Sequence, residues 1–258
     1  MILFPLNSPV SPAATAPQPV WDAIFRRQKQ PARKWWLVTQ SDHAELSGEL
    51  ASRIALPGVG ELDEEILQAI SLHDYGWNAV DDLNSPKTDG DGRPLSFLET
   101  EPADILRAWL GSIGRAELVA PIGGILVSEH FSRIARDFVH GPKTSPPVAQ
   151  ALTTFLEREL DRQEELRARQ SCSLEEILLL VDVLQFCDLL SLYVCCGARE
   201  NVYFPQQFSG QTIGLWRDGE CCRMEPSIFQ RGVSLGIEAR EFSPAGRPSA
   251  VTIPILFS

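Results

Sequence analysis

The residues of this chain best suited to chemistry are an adjacent pair, His73 and Asp74, in the stretch "LHDYGW". The chain contains only four histidines, and one of them, His43, precedes this pair, while Asp188 follows it inside a long apolar segment. Imidazole nitrogens and carboxylate oxygens are common ligands of divalent metal ions. A lone carboxylate in apolar surroundings is costly unless it is paired, hydrogen-bonded or metal-bound. These four residues therefore predict a metal site if the fold brings them together.

Helical patterns place the first three candidates on neighbouring elements. Asp42 and Glu45 have the spacing of a capping box, which predicts a helix that begins near His43 and ends near Ile54. The next segment, "ELDEEILQAISLHD", carries an apolar stripe that the histidine-aspartate pair extends at helical spacing. Both residues of the pair are therefore expected to face the core.

The remaining candidates lie on two longer predicted helices. His130 falls on the inward face of a helix predicted over residues 122–139. Asp188 lies in a very apolar helix that begins with a second capping box, Ser173 and Glu176. This helix is long enough to cross a membrane, but carboxylates within it would be costly in lipid. We therefore expect the central helix of a bundle.

The chain changes character near its two ends. Residues 1–33 are interrupted by prolines and are expected to form an N-terminal arm, and residues 34–200 are expected to form a helical domain. From residue 201 onward, short β-rich runs alternate with turn formers. The predicted fold class is therefore mainly α, with a small antiparallel β-rich appendage over residues 201–258 packed on the helical domain.

Composition limits the class of partner. With 258 residues, 44% of them hydrophobic, the chain can bury a large core. It carries 34 acidic and 23 basic residues, a net charge of −11, which argues against binding to nucleic acid or to an anionic membrane. A small anionic substrate remains compatible with this charge if a metal reverses it locally. Six cysteines without a C-x-x-C pair favour a reducing cytoplasm.

The order of His43, then His73 and Asp74, then Asp188 resembles the H…HD…D signature of the HD-domain superfamily, a helical fold of metal-dependent phosphohydrolases and related enzymes. The stretches "QSDHAELSGELA", "AISLHDYGW", "LVSEHFSRIA" and "LQFCDLLSLY" are similar to an uncharacterised bacterial family placed near HD domains. The resemblance covers residues 36–195. It implies an HD-like helical bundle in which these four residues bind one metal ion.

The resemblance also implies a function. It predicts a hydrolase of a small phosphoester or nucleotide-like substrate that acts through a metal-activated water, with a divalent ion that is Mn, Fe, Mg, Zn or Ni. Asp74 and His130 are the candidate catalytic residues. Some HD-type proteins hold a second metal with additional histidines, so His130 is expected to serve as a substrate contact or as a ligand, and His140 is a weaker candidate.

Two other functions are compatible with the sequence. The first is a di-metal, di-iron oxygenase of the HD type, which would need His130 as a ligand. The second is a protein without catalysis that binds metal or acts as a scaffold, and that self-associates through its charged helix and β-rich tail. Among nearby carboxylates, Glu129 is a candidate general base, and Asp81 and Asp82 are candidates to orient a water or an imidazole.

Overall fold

The computed structural model describes residues 1–6, 16–139, 141–142, 144–218, 221–229, 232–244, 246 and 249–257. Helices account for 50% of the protein and strands for 23%, and the strands form one curled, mixed sheet. The predictions of a mainly α fold with a small β-rich region, and of an all-α class, are therefore wrong. The reason is that the sheet recruits strands from both ends of the chain.

Seven α-helices lie within the described residues. They are α1 (Val20–Gln28), α2 (Gln40–Ala51), α3 (Glu64–Leu72), α4 (Pro102–Val119), α5 (Pro121–Val139), α6 (Pro146–Arg167) and α7 (Leu174–Cys195). Two short 3-10 helices span Tyr75–Ala79 and Phe97–Glu99.

Eight strands are described, and they form a single sheet. They are β1 (Ile2–Leu6), β2 (Gln18–Pro19), β3 (Lys34–Val38), β4 (Val202–Phe208), β5 (Gln211–Asp218), β6 (Cys221–Glu225), β7 (Val233–Phe242) and β8 (Ser249–Phe257). Their order across the sheet is β1-β3-β7-β8-β6-β5-β4-β2. The β2/β4 and β6/β8 pairs are parallel, and the other neighbours are antiparallel.

The predicted N-terminal arm contains β1, β2 and α1. Strand β1 pairs along its length with β3, in the register Ile2 to Val38, and β3 pairs in turn with β7 from the C-terminal region. The segment is therefore built into the sheet rather than appended to it. Pairing between strands so distant in sequence leaves no local pattern, because it depends on which edges the completed sheet leaves open.

Helix α7 lies at the centre of the protein. It packs against α2, α5 and α1, and its C-terminal end contacts β1 and β4. By length and composition alone α7 is the one helix in the described residues that could cross a membrane, but two thirds of that window, 67%, is buried inside the protein. Burial on all sides explains why α7 is apolar nearly all round.

The two predicted capping boxes had different outcomes. The box at the start of α7 is confirmed, because the Ser173 hydroxyl accepts the Glu176 N–H while the Glu176 carboxylate accepts the Ser173 N–H. The box at Asp42 is wrong, because α2 begins earlier than predicted. Thr39 caps it instead, and its hydroxyl accepts the Asp42 N–H at 2.9 Å.

Candidate metal centre

Four helical elements bring the predicted residues together in the core. His43 comes from the first turn of α2, His73 closes α3 and Asp74 follows it, His130 comes from the middle of α5, and Asp188 comes from α7. The ring centroids of His43 and His73 lie 5.2 Å apart, and those of His73 and His130 lie 5.4 Å apart. All five side chains are buried.

His73 has one nitrogen that is fixed and one that is not. Its Nδ1–H donates to the Ile70 carbonyl at 2.7 Å, as expected for a residue that caps a helix. Its Nε2 faces two carboxylates, 3.4 Å from Asp188 Oδ1 and 3.9 Å from Asp74 Oδ2, but makes no hydrogen bond within the described residues. A fully buried nitrogen aimed at two carboxylate oxygens matches the position of a metal ligand.

The charge around His73 favours a cation at this point. Burial by itself would lower the pKa of His73, but the negative charges of Asp74 and Asp188 outweigh it and raise that pKa to about 9. A proton on Nε2 therefore persists at neutral pH, between the two carboxylates. A metal ion would take the place of that proton.

His43 links the cluster to α7 through Ser191. Its Nε2 lies 2.9 Å from Asp74 Oδ2, and its Nδ1 lies 2.8 Å from the Ser191 hydroxyl. That hydroxyl donates its single proton to the Asp188 carbonyl at 2.8 Å, so it accepts from His43 Nδ1–H. This fixes the ring orientation and leaves Nε2 as the nitrogen directed at the Asp74 carboxylate.

His130 is the remaining histidine of the cluster, and it lies beside Asp188. Its Nε2 lies 3.9 Å from Asp188 Oδ2, and its buried Nδ1 has no hydrogen-bond partner in the described part of the chain. Burial lowers the pKa of His130 to about 4. The ring is therefore neutral at pH 7 and remains available as a donor or an acceptor.

The two carboxylates form the open side of the cluster. The side chains of Asp188 and Asp74 are 12% and 8% exposed, whereas those of His43 and His73 are fully covered. Burial would raise the pKa of Asp188, but the close approach of His73 and the charge effects of the other histidines outweigh it, so that its pKa is lowered. Asp188 therefore pairs with histidines.

The donor set fits a divalent cation. Within the described residues, one ligand atom from each of His43, His73 and Asp188 can be chosen so that all three lie within 4.8 Å of one another, and Asp74 contacts His43 directly. Two imidazoles and two carboxylates are ligands typical of Zn, Mn, Fe and Ni sites.

A close contact between Gly76 and α4, which no pattern in the sequence indicated, positions the turn that carries His73 and Asp74. Gly76 in the following 3-10 helix lies so close to α4 that a Cβ there would approach the Ala108 carbonyl oxygen to 2.0 Å. The Gly76 N–H donates to the Ser112 hydroxyl at 2.9 Å. The "HDYG" turn is therefore pressed onto α4, and only glycine permits that approach.

The nearby acidic candidates have other partners. Glu129 pairs with Arg136 at 2.9 Å and with Arg133 at 3.4 Å, so its carboxylate is engaged away from the histidines. Asp81 accepts from the Met1 ammonium and from the Gln40 N–H.

Two further candidates also lie apart from the cluster. Asp82 accepts from the Asn84 N–H at 2.9 Å and the Ser85 N–H at 3.3 Å in the following loop, without a contact to the cluster in the described residues. His140 lies outside the described residues.

Comparison with known proteins gives a family without an assigned activity. The family model described as "Protein of unknown function (DUF3891)" matches residues 24–243, which include every residue of the cluster. Searches of curated proteins and of solved structures found no match. The match spans most of the chain, from α1 to the end of β7, and the protein therefore belongs to the DUF3891 family.

Proposed function

We propose that this protein is a metal-dependent hydrolase of small phosphoesters, of the HD type. The observation that carries the proposal is His73 Nε2, a fully buried nitrogen that faces Asp74 and Asp188 and has no hydrogen-bond partner among the described residues. His43, His73, Asp74 and Asp188 would hold the ion. When bound, a divalent metal lowers the pKa of a coordinated water and polarises a phosphoryl oxygen.

The chain's own residues have separable tasks in this proposal. Ser191 and the Ile70 carbonyl hold the two imidazoles in fixed orientations through their Nδ1 atoms. Asp74 and Asp188 are the partly exposed members, so substrate would approach from their side and Asp74 can accept a proton there. His130 supplies an uncharged imidazole that can hydrogen-bond an oxygen of the substrate.

Metal analysis combined with a phosphatase assay tests this function. Untagged protein purified without chelators is expected to retain about one divalent ion per chain and to hydrolyse at least one member of a panel of phosphomonoesters, phosphodiesters and nucleotides. Chelation should abolish the activity, and added Mn²⁺ should restore it. Two iron ions per chain with oxygen consumption would contradict the proposal in favour of a di-iron oxygenase. A metal-free chain that forms a stable oligomer would favour a scaffold.

Replacing Ser191 with alanine should weaken metal binding without removing a ligand. The substitution deletes the acceptor that orients His43 Nδ1–H, and loss of such a partner typically costs about 10–100-fold in metal affinity. Competition with a chromophoric chelator measures the change. Ser128→Ala is the matched control, because Ser128 is also buried but its hydroxyl accepts from Gln163 rather than from a histidine. Equal affinity in the two variants would remove Ser191 from the metal centre.

A further inference from the structure

A cleft lies beyond the metal centre, at the C-terminal end of α7. The cleft has a volume of about 420 Å³ and is lined by residues from the end of this helix and from β1, β3 and β8 of the sheet. None of the cluster residues of the metal centre lines it. The cleft and the metal centre are therefore separate places on the same molecule, and the inference about the cleft does not rest on the proposed function.

Aromatic and aliphatic side chains form part of the cleft wall. Phe4 of β1 and Trp36 of β3 stand side by side, with ring centroids 5.0 Å apart. Val194 of α7 and the isoleucines Ile253 and Ile255 of β8 add aliphatic surface. Such a wall suits the flat or aliphatic body of a small molecule, and the volume lies within the range of small-ligand sites.

Three arginines line the same cleft: Arg27 from α1, Arg199 from the turn after α7, and Arg217 from β5. No carboxylate is among its described lining residues. This concentration of positive charge stands out in a chain whose net charge is −11. Positive charge gathered in an apolar cleft attracts anions by focusing the local potential.

The hydrogen bonds of Arg27 go to neutral acceptors, and its guanidinium lies over the Phe4 ring, 5.7 Å from the ring centroid. Its guanidinium donates to the Cys196 carbonyl at 3.1 Å, the Pro5 carbonyl at 2.8 Å and the Gln30 side chain at 2.5 Å. A guanidinium has five N–H donors, so two of them are not used by these contacts. Burial lowers the pKa of Arg27, and the opposing charge effects of Cys196 and Glu200 are smaller. No carboxylate lies within ion-pair distance of Arg27 in the described residues.

Glu200 affects the charge on Arg27 but makes its contacts with other groups. Its carboxylate accepts the Arg199 N–H at 3.0 Å and lies 3.7 Å from the Arg26 guanidinium. It does not line the cleft. A partly buried cation without a carboxylate in contact is costly, and an anionic ligand would offset that cost.

We propose that this cleft binds a small organic anion, a carboxylate or phosphate group carried on an aromatic or aliphatic body. The arginines would bind the anionic group through paired N–H donors, the geometry in which guanidinium recognises both carboxylate and phosphate. Phe4 and Trp36 would contact the apolar body. Arg27 also has a structural role, because its donation to two carbonyls connects β1 to the end of α7. These two contacts use only some of its N–H donors.

Calorimetric titration of the full chain with three probes tests the proposal. Phenylacetate and phenyl phosphate carry the two anionic groups, and 2-phenylethanol is their neutral counterpart. We expect one of the anions to bind at one site per chain, and the neutral alcohol to bind about tenfold more weakly or not at all. The preferred anion then decides between a carboxylate and a phosphate ligand. Equal binding of the alcohol, or no binding of either anion, would overturn the proposal.

Three variants locate the bound anion. Arg199→Gln, at an exposed position, and Arg27→Lys, which keeps the charge but loses the paired donors, should each weaken binding about tenfold. Arg223→Gln is the matched control, since Arg223 is an exposed arginine of the sheet that does not line the cleft. Asp188→Asn should leave binding unchanged. Binding lost in Asp188→Asn, or kept in both arginine variants, would place the anion elsewhere and contradict the proposal.

Discussion

Replacing Asp188 with asparagine is expected to lower metal affinity by about 100-fold or more. Asp188 supplies the carboxylate closest to His73 Nε2, at 3.4 Å, and its other oxygen faces His130 at 3.9 Å. Asparagine fills nearly the same volume but removes the negative charge that a cation needs in this buried position. Metal content by mass spectrometry and a chelator competition titration measure the loss, and thermal unfolding reports whether the fold is kept.

A control on the same helix separates a ligand effect from a general charge effect. Asp182→Asn removes the same charge from α7, but Asp182 is more exposed and pairs with Arg133 at 2.5 Å. We expect it to leave metal content unchanged. If Asp188→Asn protein is folded and retains its metal, Asp188 is not a ligand, and the assignment of the whole cluster fails with it.

Substituting alanine for Gly76 should destabilise the protein by about 1–3 kcal/mol. The new Cβ would lie 2.0 Å from the Ala108 carbonyl oxygen and 2.8 Å from the Ser112 nitrogen, both backbone atoms of α4 that cannot rotate away. The 3-10 helix must therefore move off α4, and Asp74 begins that turn. Metal affinity should fall together with stability, as measured by urea unfolding and by metal titration of the same preparation.

Gly114 provides the matched control for this substitution. It lies on α4 itself, and a Cβ there would meet no atom within 4 Å. Because alanine favours a helix over glycine by about 1 kcal/mol, Gly114→Ala should stabilise the protein slightly. A Gly76→Ala protein as stable as the wild type, with its metal affinity intact, would show that the close approach to α4 does not position the metal centre.

The sequence predicted those features of the candidate site that depend on local residue patterns. The apolar period of α3 placed His73 and Asp74 on an inward face, and the apolar run that begins at the capping box of α7 placed Asp188 inside a central helix. Their burial, and the approach of His73 to Asp188, agree with that prediction. Helical period reports which face of one element is buried, as it did at the end of α3, whereas α7 is apolar nearly all round and its central position was inferred from its composition.

The positioning contacts could not be predicted in the same way. Ser191 lies one turn beyond Asp188 and has no distinguishing pattern, because a buried serine is informative only when its partner is known. The role of Gly76 depends on the path of α4, which the residues around Gly76 do not encode.

By itself, the sequence indicated the helices that carry the cluster and placed His73, Asp74 and His130 on inward faces, because periodicity and capping act over a few residues. Only the tertiary structure decided that β1 and β3 join strands from the far end of the chain in one sheet, and that three arginines line one cleft. Strand pairing and cleft formation join residues far apart in sequence. The geometry of the whole fold determines which of these residues meet, so no local sequence pattern predicts the contacts.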